Sequence, residues 1–558
     1  MRRYVNIGLR GRVRAAIAAV PVLMSALLAG CIKNDLPYPV VECRIESIAA
    51  EGLAADPQID FSARRVTLPL LETTDIQNVT VTDVVLTEGA TSSVELTGRH
   101  DLRGPKRVTL SLYQDYEWEL AAEQNIERSF SVEGQVGAAV WDFSDRTVRV
   151  YVGFDDLSDV RIKSLKLGPA GITRMSCVGV GDFDETSDFG DRIFSQLRDF
   201  SDSHFHQVFV SCHGRTETWL IYVEHTEATV TLTRADGWVR TAWLYGDGLS
   251  GTELGFRYRR QGDDQWTTVP QSAVETDGGA FSARIRGLEP ECEYEAVAYS
   301  GDDESAVTTF TTQPELPLPN SGFEDWSQSG NVIYPYLTGD VPFWDTGNKG
   351  STTLGPDYNI TTGVTDTRPG SSGRMAAQLV SRYVVLKFAA GNIFVGKYES
   401  TVGTNGKINF GHPFASRPVA LRGWVKFVNG PVDRIGKQPS DRTLTANVDL
   451  DEGMIYIALG TWTAAKYGGT ADSPVQVYSA DEKTFFNKNA PDVVAYGERV
   501  FTASTDGWVQ FEIPIDYRAT DIIPTHLVLV CSASRWGDYF SGSTQNRMWL
   551  DDFELVWE

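Results

Sequence analysis

Two stretches of the chain read almost alike: IDFSARRVTLPLLETTDIQNVTVTDVVL from Ile59 to Leu86, and WDFSDRTVRVYVGFDDLSDVRIKSLKL from Trp141 to Leu167. Asp60, Phe61 and Ser62 align with Asp142, Phe143 and Ser144, and Val66, Leu68 and Leu70 align with Val148, Val150 and Val152. After one deletion, Val79 and Val81 fall on Val160 and Ile162. Each copy alternates apolar and polar residues, the period of a strand with one face in a core. Each copy also ends in a strand with an aromatic anchor, Tyr116 and Trp118 in the first and Trp219 in the second. The repeat therefore predicts two tandem all-β modules, residues 40–128 and 129–226. With no cluster of catalytic side chains, such a pair is expected to act as a spacer or stalk. His204, His206 and His213 lack an evident third ligand or acid, so they are expected as solvent-exposed strand histidines.

Both modules are of an immunoglobulin-like kind. A third spans residues 227–313, with strands LTRADGWVRTAWLYG, LGFRYRRQGDDQWTTV and FSARIRGLEPECEYEAVAY. Its segment Gly287, Leu288, Glu289, Pro290 through Tyr294 resembles the tyrosine corner of fibronectin type III domains, in which the phenol bonds back to the local backbone. Residues 314–319 carry the prolines of PELPLP and are expected to form a semi-rigid spacer.

At 558 residues the chain has room for about four domains. With 42% hydrophobic and 22% charged residues it is a folded protein, not a disordered or multi-span one. A net charge of -24 argues against nucleic acid as a partner. Residues 1–30 read as an export signal: Arg2, Arg3, Arg10, Arg12 and Arg14 with no acid, then an apolar run from Ala15 to Leu27 that is too short to span a bilayer. Its last residues and Cys31, LAGC, resemble the lipobox of bacterial lipoproteins, which implies cleavage before Cys31 and acylation of that residue. Losing five arginines and no acid takes the charge from -24 to -29, so the lipid, not basic residues, would hold the chain at the outer membrane. Residues 31–39 are a tether whose Lys33 and Asp35 resemble those of Bacteroidota surface lipoproteins. The other five cysteines fit neither a full disulfide framework nor a zinc site. Most are expected as small buried hydrophobes, and Cys177 with Cys212 is the one pair that could be bridged.

Residues 320–558 show many short strands separated by turn signals and no helical periodicity, the profile of a β-sandwich or jelly roll. The fold class expected for the whole chain is thus all-β, with tandem immunoglobulin-like sandwiches followed by a C-terminal jelly roll. The opening NSGFEDW from Asn320, the central FASRPVALRGWVKF and the closing SASRWGDYFSGSTQNRMWLDDFELVW resemble the putative carbohydrate metabolism domain of Bacteroidota surface lipoproteins. That resemblance implies glycan capture or processing at the cell surface, alongside partner proteins of a glycan-utilisation system. More distantly, GFE paired with LDDF is similar to jelly-roll carbohydrate-binding modules, in which acids near the two ends hold structural calcium.

The residues support a reading of their own. In RMWLDDFELVW the alternating set Trp549, Asp551, Phe553, Leu555 and Trp557 points an acid toward the core, and a buried carboxylate needs a partner. Calcium held with Glu324 would satisfy it, Asp552 being the fallback ligand if the register is off by one, as would a hydrogen-bonded pair with Arg547 or Arg535. Sugar binding needs flat apolar faces, and the aromatics in loop-like settings are Tyr334, Tyr336, Trp462, Trp536 and Tyr539. Trp424 and Trp508 are expected in the core. A polysaccharide or oligosaccharide is the expected ligand. A glycoside hydrolase would need two carboxylates flanking the sugar, for which Asp538 and Glu399 are candidates that no motif selects. A structural or adhesive role is the third class open.

Overall fold

The computed structural model describes residues 42–61, 63–384, 386–439 and 442–558, so Cys31 and the export signal lie outside the described residues. The molecule is all-β, and its longest described α-helices, Asn348–Ser351 and Ala464–Tyr467, are single turns.

The sequence repeat is a repeat in space. Arg65–Leu70 runs parallel to Asp115–Gln124, with Val66 opposite Leu120. Thr147–Val152 runs parallel to Arg215–His225, with Val148 opposite Ile221. Each anchor tryptophan stands two residues before that partner, and Trp118 and Trp219 are both almost fully buried. Even the strained turn recurs: Arg64 and Arg146 hold φ of 51° and 53°, and their carbonyls accept from Glu119 and Leu220 at 2.8 and 3.0 Å. The two units touch through Arg215 and Asp75 at 2.9 Å, a pairing that holds the Asp75 carboxyl down at about 2.

In the third unit the Tyr294 hydroxyl accepts from the Glu289 N–H at 2.8 Å, the bond a tyrosine corner requires. All five described cysteines are free, so Cys177 and Cys212 are not bridged. Of the three histidines only His204 and His213 are exposed; His206 packs its ring on Phe200 at 4.5 Å, and burial lowers its pKa.

The fourth unit stacks a nine-stranded sheet on a five-stranded one. Strands Asn392–Val402, Gly453–Gly460 and His526–Ser532 of the larger sheet bury Ile393, Val395, Ile455, Ile457, Leu527, Leu529 and Cys531 against Leu421, Val425, Phe427, Met548 and Leu550 of the smaller. The segment expected as a spacer is part of this core. Leu318 and, from the third unit, Val239 are buried in it, because two leucines between the prolines give PELPLP an apolar edge to bury. Arg417 seals the junction. Its guanidinium donates to Gly237 O at 2.7 Å, to Gln313 Oε1 at 3.1 Å and to Thr520 O, and burial pulls its pKa down to about 10.

The last strand, Arg547–Val556, departs from simple alternation. Met548 and Leu550 face the core, then Asp552 adopts a left-handed φ of 45° and the register with Ala420–Val428 slips between Arg422 and Trp424. This bulge resets the phase, so Asp551, Phe553, Leu555 and Trp557 are buried as expected while Trp549 is turned outward beneath Lys426. Trp424 and Trp508, expected in the core, are half-buried on the same outer face.

Candidate functional site

Alternation along the nine-stranded sheet builds a second apolar surface. While Ile393, Ile455, Leu529 and Cys531 face the sandwich, their neighbours Phe394, Tyr456, Val528 and Val530 point the other way and join Tyr398 and Phe410 in a separate cluster. A strand such as MIYIALG, apolar at nearly every position, is what a sheet covered on both faces needs. Over this second face three loops stand apart and leave a cleft of about 470 Å³. Phe394, Phe410, Ile408, Met454 and Tyr456 form its floor. The walls come from residues 347–354, from the hairpin of Arg382–Val384 with Lys387–Ala389, and from residues 535–540.

Two of the walls are tied down by buried polar groups. Asn348, fully buried, accepts from the Ile360 and Thr361 N–H groups and donates to Ile333 O and Thr361 O, at 2.7 to 3.0 Å. Behind the third wall the Asp451 carboxylate accepts from Ser534 Oγ at 2.6 Å, the Ser543 N–H at 2.7 Å and Asn546 Nδ2 at 2.9 Å. Burial pushes Asp451 up to about 7 against the pull of these donors. Gly542 is fixed by closeness, since a Cβ there would lie 2.6 Å from Phe388 and 2.7 Å from Asp451 Oδ2. Gly537 likewise lets its loop meet the hairpin wall, where a Cβ would lie 2.5 Å from that of Ala390.

The aromatics singled out in the sequence do not form this cleft. Trp462 and Trp536 are each 2% exposed. Trp462 packs beneath Phe486, and Trp536 turns inward onto Val432, Leu444 and Tyr539. Tyr539 is half-buried, edge-on to Phe485 at 5.2 Å. Tyr334 and Tyr336 pack on each other at 5.2 Å, with Lys349 over Tyr334. The segment SRWGDYFSG is nevertheless at the site, one position out of phase: Arg535, Gly537, Asp538 and Phe540 line the cleft while Trp536 anchors the loop from behind. Glycine-flanked tryptophan reads as exposed in sequence, and only the third dimension shows that the loop folds over its own ring.

Asp538 is the one acid among the described lining residues. Its side chain is exposed to solvent in the cleft, and the protein around it raises its carboxyl above the usual range. Glu399 lies elsewhere, accepting from Gln476 Nε2 at 2.8 Å. The carboxylate pair that sugar hydrolysis uses is therefore not assembled on the described walls.

On the five-stranded sheet Asp551 is fully buried. Its Oδ2 accepts from the Arg368 N–H at 2.9 Å, its Oδ1 has no hydrogen-bond partner, and burial raises its pKa to about 6. Glu324 accepts from the Arg374 and Met375 N–H groups, and Asp552 pairs with Arg368 Nε at 2.6 Å. Asp551 thus takes a main-chain N–H and no guanidinium: Arg547 and Arg535 are bonded to main-chain oxygens and to Glu452 respectively. Among the described residues no three His, Cys, Asp or Glu side chains converge as a metal cluster, but the orphaned Asp551 oxygen is the kind of atom a hard cation satisfies.

No curated protein matches the sequence. Among solved structures, one described as a putative glycoside hydrolase from Bacteroides thetaiotaomicron is 13% identical over 94% of this chain and 98% of that one, with a TM-score of 0.29. A second so described, from Bacteroides vulgatus, is 23% identical over 42% of this chain and 97% of that one, at 0.32. The SGBP-B protein of a Bacteroides ovatus mixed-linkage glucan utilization locus, solved with a mixed-linkage heptasaccharide, is 8% identical over 87% of this chain and 100% of that one, at 0.19. Residues 322–556, the jelly-roll unit that carries the cleft, match the family model of the putative carbohydrate metabolism domain.

Proposed function

We propose that the chain captures a polysaccharide or oligosaccharide in the cleft of its C-terminal jelly roll, as part of a glycan-utilisation system. The observation that carries the reading is an apolar-lined cleft within the unit that matches a carbohydrate family. Accessible apolar side chains on its walls, Leu354 and Leu386, suit the apolar faces of sugar rings, and the exposed Thr404 offers a partner for hydroxyls. With a single acid in the described lining, capture is favoured over cleavage. The three N-terminal units would hold the jelly roll away from the outer membrane, to which acyl chains on Cys31 would anchor the protein. A glycan panel probed with the full-length chain tests this. Binding that Leu386→Ala weakens supports it, and a panel without any binder rejects it. Membrane fractionation of the Cys31→Ser protein tests the anchor, which predicts release into the soluble fraction.

A structural calcium ion in the same unit would sit at the unpartnered Asp551 oxygen; Glu324 and Asp552 do not converge on it as a three-acid cluster, being engaged with main-chain N–H groups and with Arg368. An ion that binds only the native state stabilises it by mass action, so a chelator should lower the melting temperature. The pH dependence carries a sign. Metal-free, Asp551 titrates near 6 in the fold and near 4 unfolded, so stability should rise as pH falls through about 6; calcium-loaded protein should lack that gain. An identical melt with and without chelator would assign Asp551 to the Arg368 N–H alone.

A further inference from the structure

The third unit holds a pocket of about 580 Å³, away from the jelly-roll cleft. It forms where one sheet of that unit runs out of strand. Ala280–Arg286 pairs along its whole length with Thr241–Gly248, but Val274–Asp277 on its other side reaches only from Ala280 to Ala283. Among the described residues, Arg284, Ile285 and Arg286 therefore have no strand neighbour on that side, and the chain crosses between the two sheets around the gap, from Thr268 to Val274.

The wall of this gap is rich in donors and poor in acceptors. Arg284 stands opposite Trp243, its guanidinium carbon 5.6 Å from the indole centre. Arg284 Nε, Arg284 Nη2 and Trp243 Nε1 are all buried without a hydrogen-bond partner. Arg286, exposed two residues on, also makes no hydrogen bond or ion pair among the described residues. The acids nearby leave this unanswered. Glu275 lines the pocket but is exposed, lies opposite Ser282 and pairs with neither guanidinium. Glu558 accepts from the Gly287 N–H at 3.1 Å. Burial and then the like charge of Arg286 lower the Arg284 pKa, with Glu558 only opposing them.

Buried polar groups are nearly always paired, so three donors orphaned at one spot ask for acceptor oxygens from outside. A carboxylate brings two, in the planar spacing that matches the Nε and Nη2 edge of a guanidinium. No hydrogen bond holds that edge where it is, so turning it into the pocket sacrifices none. Thr267, Thr268 and Ser282 on the same lining offer partners for sugar hydroxyls. The long-range repulsion of an anion by a chain at -24 is screened beyond about 8 Å at physiological ionic strength, while a contact pair inside a pocket is screened far less.

We propose that this pocket binds a sugar unit that bears a carboxylate, the carboxylate against Arg284 with Arg286 beside it. The anion chemistry stands on the third unit alone; that its carrier is a sugar rests on the glycan reading.

The test uses the full-length chain, isothermal calorimetry and three probes: trigalacturonic acid, its fully methyl-esterified counterpart, and a triglutamate peptide. The acid should bind roughly tenfold tighter than the ester, which keeps the sugar rings and loses the charged acceptors. Arg284→Gln should bring the two to one affinity. That variant should melt no lower than the unaltered protein, because it removes a buried charge that has no partner, so its loss of binding is read on folded chains. Equal affinity of acid and ester for the unaltered protein, or a preference that survives in Arg284→Gln, overturns the proposal. So does a variant that melts well below the unaltered protein, which would make Arg284 part of the fold's own bonding. Triglutamate bound as tightly as the sugar acid would make an acidic peptide the occupant and overturn it too. The two readings fail separately. Neutral glycans that bind without any carboxylate preference leave glycan capture standing and sink this site. Arg284-dependent binding of trigalacturonic acid with no neutral glycan bound upholds this site and sinks capture in the cleft.

Discussion

Replacing Arg417 with methionine is expected to destabilise the third and fourth units together by about 3 to 5 kcal/mol and to split a shared thermal transition into two. Arg417 is 2% exposed and gives its N–H groups to oxygens in three places: Gly237 in the third unit, Gln313 at the end of that unit, and Thr520 in the jelly roll. Methionine keeps most of the volume but leaves those acceptors buried without donors, and each such loss costs about 1 to 3 kcal/mol. The neighbouring contacts Thr520 Oγ1 to Asp236 at 2.7 Å and Trp238 Nε1 to Thr520 O at 3.1 Å converge on the same spot. Weakening one should loosen the others. Differential scanning calorimetry of the full chain checks this, and one unshifted transition would show that apolar packing of Val239 and Leu318 carries the junction alone.

Trp536→Ala is expected to cost about 3 to 5 kcal/mol of stability in urea denaturation, the range for deleting a buried tryptophan. The ring fills the space between Val432 and Leu444, with the Arg442 and Arg535 guanidinium carbons 5.5 and 5.8 Å from its centre. Its Nε1 makes no hydrogen bond, so the side chain is held by packing alone. Trp536→Phe should therefore be mild, near ~1 kcal/mol, since it loses contact area and no hydrogen bond. Loss of ligand binding in the alanine variant would follow from collapse of the 535–540 wall. An alanine variant with native stability would put the ring on the surface after all.

Much of the fold was legible because strands write their faces into sequence. The alternation around Val66 and Val148 pointed to the paired modules, and Gly287 through Tyr294 to the corner of the third. What escaped was set by events that alternation does not encode. One left-handed residue, Asp552, moved Trp549 from the expected core to the outside. The sheet face under the cleft was hidden because strands covered on both sides, such as Gly453–Gly460, show no alternation to read. The cleft was half legible. The loop around Trp536 was singled out, but its tryptophan packs behind the wall while Asp538, considered only as a catalytic candidate, lines the cleft. Sequence shows which residues share a loop, and the closure of that loop over its own ring decides which of them meet solvent.

The buried linker also governs how the protein would bear load. Both ends of the jelly roll lie against the third unit: Leu318 enters its core there, and the terminal Glu558 carboxylate accepts from the Gly287 N–H at 3.1 Å. A tug on something held in the cleft would thus reach the stalk through the linker, Arg417 and this terminal contact at once. Bonds strained side by side share the force, whereas bonds strained in series break in succession, so the jelly roll should resist being peeled from its neighbour even when the tug comes from a large, moving polymer.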